Sequence, residues 1–183
     1  MPAESRDKIL NAAEARLLVG GPAGLVLDAV ALDAGISKGG LLHHFPSKEA
    51  LVGGLCDRML ERFEEEMASL CAADPETTGA WTRAYLASTV TGDGKPADNS
   101  AQLMAGILAT MGRDSVHLEK VRQHFVRWHA RLEDDGIDPT IATLVRLAAD
   151  GLWLSALLGL QQIDPAASQH LLGELRDMTR PAR

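Results

Sequence analysis

Three times in this chain an aspartate is followed directly by a proline: Asp74-Pro75, Asp138-Pro139 and Asp164-Pro165. Such a pair is a helix start. The carboxylate accepts from open amides of the first turn, and proline at the first helical position gives up a donor that has no partner there. Between these starts, apolar residues recur at three- and four-residue spacing, most clearly Leu118, Val121, Phe125, Trp128 and Leu132. Alternation with period two is absent and aromatics make up only 4% of the chain, so little favours strands. The expected class is all-α, with about nine helices by spacing and stop signals.

Those helices are expected at about 5–19, 27–34, 37–45, 47–71, 75–91, 97–111, 115–133, 139–161 and 165–179. Gly20-Gly21-Pro22 stops the first and Gly35 the second. Three short helices precede six mostly longer ones, which sets the expected domain boundary at Ser47: residues 1–46, then 47–183. The longest strongly apolar stretch, Gly151–Leu160, is about half the ~20 residues that a helix needs to cross a bilayer. No charged-then-apolar leader opens the chain. The expectation is therefore no membrane span and a cytoplasmic location. Cys56 and Cys71 fall on one expected helix, ~22 Å apart at the helical rise, too far to bridge. Free thiols suit a reducing compartment.

The net charge is −7, of which residues 1–50 carry −1 and the remainder −6. A bulk polyanion binder carries a basic footprint, so that class is excluded. Any nucleic-acid contact must come from a local patch. Residues 27–45 supply one. Val30, Ala31, Ala34, Ile36, Leu41 and Phe45 make a small shared core, and Gly35 stands where a tight turn between crossing helices needs a left-handed residue. Ser37 caps the next helix. This is helix-turn-helix grammar, in which the second helix enters the major groove. From Ala34 to Lys48 the chain holds Lys38, His43, His44 and Lys48 and no acidic residue. Helix starts at Ser37 and Ser47 add phosphate-seeking dipoles.

The run Ala-Gly-Ile-Ser-Lys-Gly-Gly-Leu-Leu-His-His-Phe-Pro-Ser-Lys-Glu-Ala-Leu, residues 34–51, resembles the signature of the tetracycline-repressor (TetR) family of transcription regulators. The resemblance spans about Ser5 to Leu55. It implies a homodimer whose two three-helix heads read a palindromic operator in double-stranded DNA, and a larger C-terminal domain that binds a small-molecule effector. It also implies DNA contacts at Ser37, Lys38, Gly39, Gly40, Leu42, His43, His44 and Lys48. By their chemistry, the amides of Ser37 to Gly39 and the Lys48 ammonium suit phosphates. Lys38 and His43 can reach base edges, and His44 a phosphate. Three positions depart from the family pattern. Val26 stands where Ser or Thr commonly caps the second helix, Gly40 where a side chain often reads a base, and Leu42 where Tyr commonly reaches a phosphate. Each change removes a hydrogen-bonding group, and Gly39-Gly40 disfavours the recognition helix by roughly 1–2 kcal/mol relative to alanines.

The eighth expected helix is apolar nearly all round, so it is expected to be covered on two sides. One side is the domain core. The other is a subunit interface, with Leu154, Leu157 and Leu158 joined by Leu171, Leu175 and Met178 of the ninth helix in a four-helix dimer bundle. Trp81, Tyr85, Met104, Leu108, Met111, Phe125, Trp128 and Trp153 are candidates to line an adaptable apolar effector pocket. His124 and His129 are its candidate polar contacts. Paired Glu-x-x-His elements, His-Glu-x-x-His, a phosphate-binding P-loop and Gly-x-Ser-x-Gly are all absent. No enzyme, metal or cofactor is expected. The expected function is a ligand-responsive transcriptional regulator, a repressor released from its operator by a small molecule. The alternative is an all-α carrier or enzyme whose head has lost DNA binding.

Overall fold

A computed structural model of the chain describes residues 2–90, 99–111, 115–158, 160 and 164–180. Among the described residues there are nine helices and no strand. They are α1 (Pro2–Gly24), α2 (Leu27–Asp33), α3 (Lys38–His44), α4 (Lys48–Ala73), α5 (Ala80–Thr89), α6 (Ser100–Thr110), α7 (Val116–Glu133), α8 (Pro139–Leu158) and α9 (Pro165–Met178). The all-α expectation holds. The expected stop in the first helix is a break at Gly21 (φ 57°, ψ −156°), after which one more turn forms from Pro22.

Two of the three Asp-Pro pairs start helices as expected. Asp164 accepts from the amides of Ala166 and Ala167 at 3.0 and 3.2 Å, and Asp138 from that of Thr140 at 2.8 Å. The third does not. The helix expected from Pro75 begins only at Ala80: Asp74 makes the same bond to the amide two residues on, from Glu76 at 3.0 Å, but its other oxygen accepts from Arg83 Nε at 2.7 Å. The first turn of α5 is capped instead by Asp135. Its carboxylate accepts from the amides of Trp81 and Thr82 at 3.0 and 2.7 Å and from the Thr82 hydroxyl at 2.7 Å.

The chain divides into two compact units, Met1–Leu60 with Gln102–Val121, and Glu61–Ala101 with Arg122–Arg183. In the first, Ile9, Leu10, Ala13 and Leu17 of α1 share a core with Val30, Ala31, Leu41, Phe45, Leu51 and Leu55. α4 meets this core at Gly54, where a Cβ would sit 2.5 Å from the Phe45 ring. A Cβ on Gly106 would meet Leu17 at 2.8 Å, so α6 lies close against α1. Arg58 of α4 donates to Asn11 at 2.8 Å and pairs with Glu14 at 2.6 Å.

In the second unit α5 is central. Trp81, Arg83, Ala84, Tyr85 and Leu86 are all buried, and α5 packs on α8 and α9. Ala142, Val145 and Ala149 form the buried edge of α8. Its other apolar residues are not covered: Leu144, Leu147, Leu154 and Leu158 are 46–59% exposed. α8 also exceeds the ten-residue apolar stretch expected from Gly151 to Leu160. α8 is 20 residues long with a best-window mean hydropathy of 1.5, long and apolar enough to cross a membrane by length and composition alone. Arg146 and Asp150 are the two charged residues of this helix, and they pair with one another at 3.0 Å.

Candidate nucleic-acid interface

Gly35 adopts φ 66° between α2 and α3, the left-handed conformation that lets the chain reverse between the two helices. Its amide donates to Leu32 O, and that of Ile36 to Ala31 O, closing the turn. Ser37 then caps α3, its hydroxyl accepting from the Gly40 amide at 3.1 Å. Leu41 and Phe45 point into the core, which turns the opposite side of α3 outward. Ser37, Lys38, Gly39, Leu42 and His43 are exposed there, with Gly40 and His44 half-buried. The two imidazoles meet edge to face at 5.6 Å between centroids. The sequence-derived residues of α3 are therefore gathered on one short helix with a solvent-facing side. Val26, at the cap position of α2, makes no side-chain cap hydrogen bond, as its apolar side chain requires.

Two lysines of the set have partners within the unit. Lys48 Nζ donates to the Pro22 carbonyl at 3.1 Å. Lys38 Nζ lies 2.8 and 3.1 Å from the two carboxylate oxygens of Asp28, in the first turn of α2. Sequence reasoning missed Asp28, which lies outside the basic run from Ala34 to Lys48. The signal available was an exposed acid at the start of the helix that crosses the recognition helix. At the α4 start, Ser47 Oγ accepts from the Ala50 amide at 3.0 Å.

The eight effector-side candidates do not gather in one unit. Met104, Leu108 and Met111 belong to the first, the other five to the second. Met111 lines an open cavity of about 300 Å³ with Lys48, Glu49, Val52, Thr110, Ser115 and His117. In the second unit, Tyr85 and Trp128 meet through Phe63, at 5.9 and 4.5 Å between ring centroids, and Phe125 adds to Trp128 at 5.1 Å. Sequence reasoning missed Phe63: a phenylalanine at helical spacing on α4 carries no signal that separates a joining ring from plain core. Trp81 is 5% exposed and lies under the Arg131 guanidinium at 3.8 Å. Trp153 is half-buried on α8.

Polar groups adjoin these rings. The Tyr85 hydroxyl donates to Asp150 at 2.7 Å, and Arg146 donates to the other oxygen of the same carboxylate at 3.0 Å. Burial, reinforced by the Asp150 charge, holds the Tyr85 phenol well above its usual range. Burial and the Arg146 charge together push His129 below the usual imidazole value. His124 Nδ1 lies 2.9 Å from Glu64 Oε1. On the proposed dimer surface, Leu154, Leu158, Leu171 and Met178 are exposed and Leu157 is half-buried. Leu175 is 5% exposed and belongs to the core of its own unit.

Residues 9–55 match the model of bacterial regulatory proteins of the tetR family, and residues 79–180 match the tetracyclin repressor-like C-terminal domain. Among solved structures, a transcriptional regulator from Rhodococcus sp. Rha1 is 22% identical with a TM-score of 0.72, covering 95% of each chain. The multidrug binding protein EbrR, solved with ethidium, is 26% identical with a TM-score of 0.65, over 93% of this chain and 97% of that one. NalD of Pseudomonas aeruginosa, the secondary repressor of a multidrug efflux pump, is 18% identical with a TM-score of 0.60, over 97% and 98%. No protein of curated function matches the sequence. The two family matches cover the reading head and the helical domain that follows it, and the chain belongs to the TetR family of bacterial transcriptional regulators.

Proposed function

We propose that this regulator is a cytoplasmic repressor, without enzymatic activity, that holds a palindromic operator as a homodimer and leaves it when a small molecule binds. The observation that carries the reading is the α2–Gly35–α3 arrangement, which turns Ser37, Lys38, Gly39, Leu42 and His43 to solvent on one short helix. In this reading residues 1–46 are the DNA-binding domain and residues 47–183 the effector and dimer domain. Lys48 and His44 hold phosphates and position the head. Lys38 and His43 lie at the groove, and the amides of Ser37 to Gly39, with Gly40 and Leu42, pack against the backbone.

The exposed leucines of α8 support the dimer. An unpartnered apolar face of this size is a partner surface, and Leu154, Leu157 and Leu158 with Leu171 and Met178 offer it to a second copy. Arg146 and Asp150, bonded to Tyr85 on α5, tie the opposite side of the helix to its own unit, which speaks against lipid as the occupant. The effector would lie at the aromatic group of Tyr85, Phe125 and Trp128 in the second unit, with Trp81 and Trp153 as further lining. A ligand that prefers one separation of the two heads shifts the population away from the 34–36 Å spacing of successive major grooves.

The test is selection of random double-stranded DNA by the purified protein at near-physiological salt, read by sequencing. A palindrome with half-sites about one helical turn apart is expected. Absence of enrichment from folded, dimeric protein would refute operator binding and leave the carrier reading, which Val26, Gly40 and Leu42 favour.

A further inference from the structure

We infer that Asp28 is an internal brake on DNA binding: it competes with DNA phosphates for the Lys38 ammonium at the start of the recognition helix. The inference rests on the DNA-reading role proposed above.

The geometry is specific to this pair. Lys38 is the first residue of α3 and the only lysine on it, and its Nζ sits between both oxygens of Asp28 at 2.8 and 3.1 Å. The two side chains are 61% and 65% exposed, so neither is needed to fill the core, and the pair lies on the side that would face DNA. Asp28 occupies the first turn of α2, where a carboxylate complements the helix dipole. It is therefore held near Lys38 by its own helix as well as by the lysine. From Ala34 to Lys48 the chain is free of acids, and Asp28 is the carboxylate that reaches into this basic run from a neighbouring helix.

When DNA approaches, Lys38 has two courses. It leaves Asp28 for a phosphate, which strands a carboxylate in the field of a polyanion, or it stays and contributes no counterion release. Either course lowers affinity and flattens the salt dependence relative to a head without the carboxylate. Sequence-independent binding is almost wholly phosphate binding and bears this cost in full; in the operator complex the same exchange must occur before Lys38 can reach a phosphate or a base edge.

The experiment compares full-length wild type with Asp28→Asn, which keeps the shape and removes the charge, and with Asp28→Ser, which keeps a first-turn oxygen. Affinities for the selected operator and for a random duplex are measured across a salt series. Breaking an exposed ion pair is a ~two- to fivefold effect per head, so a dimer is expected to bind ~four- to twenty-fivefold tighter. The slope of log affinity against log salt is expected to steepen by about one per head. In a Lys38→Ala background most of the gain disappears. Three results overturn the inference. An equal gain with and without Lys38 means a diffuse charge effect and no competition. Weaker operator binding with relaxed preference at one base pair means that Asp28 reads a base, as carboxylates do at cytosine N4. Unchanged affinity in both variants means that the pair is open in solution. If wild type selects no sequence at all, the DNA-reading role fails first and the brake fails with it.

Discussion

Arg83 should be the most costly single truncation in the second unit. Its guanidinium is 6% exposed and bonded on every side: Nε to Asp74 at 2.7 Å, Nη1 to the carbonyls of Thr78 and Thr179 at 3.0 and 3.2 Å, and Nη2 to the Glu76 carbonyl. One side chain thereby ties the loop after α4 to the end of α9. Arg83→Met keeps the aliphatic bulk and removes all of these donors. Asp74, 20% exposed, can recover water and keeps its bond from the Glu76 amide. The buried Thr179 carbonyl cannot, and a stranded buried acceptor costs about 1–3 kcal/mol. Adding the lost charge pair gives an expected destabilisation of about 3–4 kcal/mol, within the range for breaking a buried pair. In urea this is a midpoint shift of roughly 1–2 M at an m-value of about 2–3 kcal/mol/M, measured at fixed protein concentration because any self-association would couple to folding. Arg83→Lys keeps the charge without the fork and should fall between. The pH dependence adds a second readout. The Arg83 hydrogen bond holds Asp74 below its ordinary value of 3.8. A depressed carboxylate stabilises the fold above the unfolded value and loses that contribution as pH falls through the folded one. Wild type should therefore lose stability below about pH 4 more steeply than Arg83→Met. A loss under about 1 kcal/mol with an unchanged acid limb would refute the clasp, since that is the scale of a solvated surface pair.

Gly39→Ala should stabilise the head by about 0.5–1 kcal/mol, because the added methyl meets only Ser37 Oγ, at 4.0 Å, and helical glycine is costly; a lowered melting temperature would contradict it. Asp135→Ala should cost about 2 kcal/mol, the upper range for a helix cap, since one carboxylate serves two amides and a hydroxyl; a change under half that in chemical denaturation would show that water replaces it. Cys56 is buried, and burial together with the neighbouring Asp57 charge pushes its thiol up to about 11. Alkylation at pH 8, followed by mass spectrometry, should therefore label the partly exposed Cys71 about tenfold faster; equal rates would mean that α4 opens freely at Cys56.

The features legible in the sequence are those written within one turn or one helix. Gly35 and Ser37 fix the reversal and the cap of α3 within three residues, and both are found as read. Asp164-Pro165 works as a start for the same reason. The misreadings involve partners far along the chain. Asp74 looked like a cap until Arg83 took its carboxylate, and the true cap of α5 is an aspartate more than fifty residues later. Asp28 is missed for the same reason: it acts from α2 on a lysine of α3, outside the basic run itself. α8 shows a different limit. An apolar side chain facing its own core and one facing a second subunit are the same letter, so the pattern predicts coverage on two sides but cannot say by what. Leu175, grouped with the interface residues, lies in the core instead.

The reading head has a further property that follows from where its charges go. Within it, Lys8 pairs with Glu4, Arg16 with Asp33 and Lys38 with Asp28, and from the rest of the first unit Arg58 pairs with Glu14 and Lys120 with Asp57. These pairs are not equivalent. Arg58 and Glu14 are 10% and 15% exposed and join α4 to α1, and Arg16 joins α1 to α2. Breaking a pair as covered as Arg58–Glu14 strands a charge, so it keeps the head rigid and is not spent on DNA. Lys38 and Lys48 lie at the surface and can exchange their internal partners for phosphates. In the proposed homodimer, a head with few exchangeable cations gains little from DNA in any wrong register, and affinity then depends on both heads docking at once. That is the condition under which a small change in head separation has a large effect. With weak single-head binding, loss of the second contact removes nearly the whole effective-concentration advantage of the dimer. The sparse charge of the head and the proposed release by altered spacing therefore support one another, and neutralising Asp28 should weaken the response to effector as it tightens the grip on DNA.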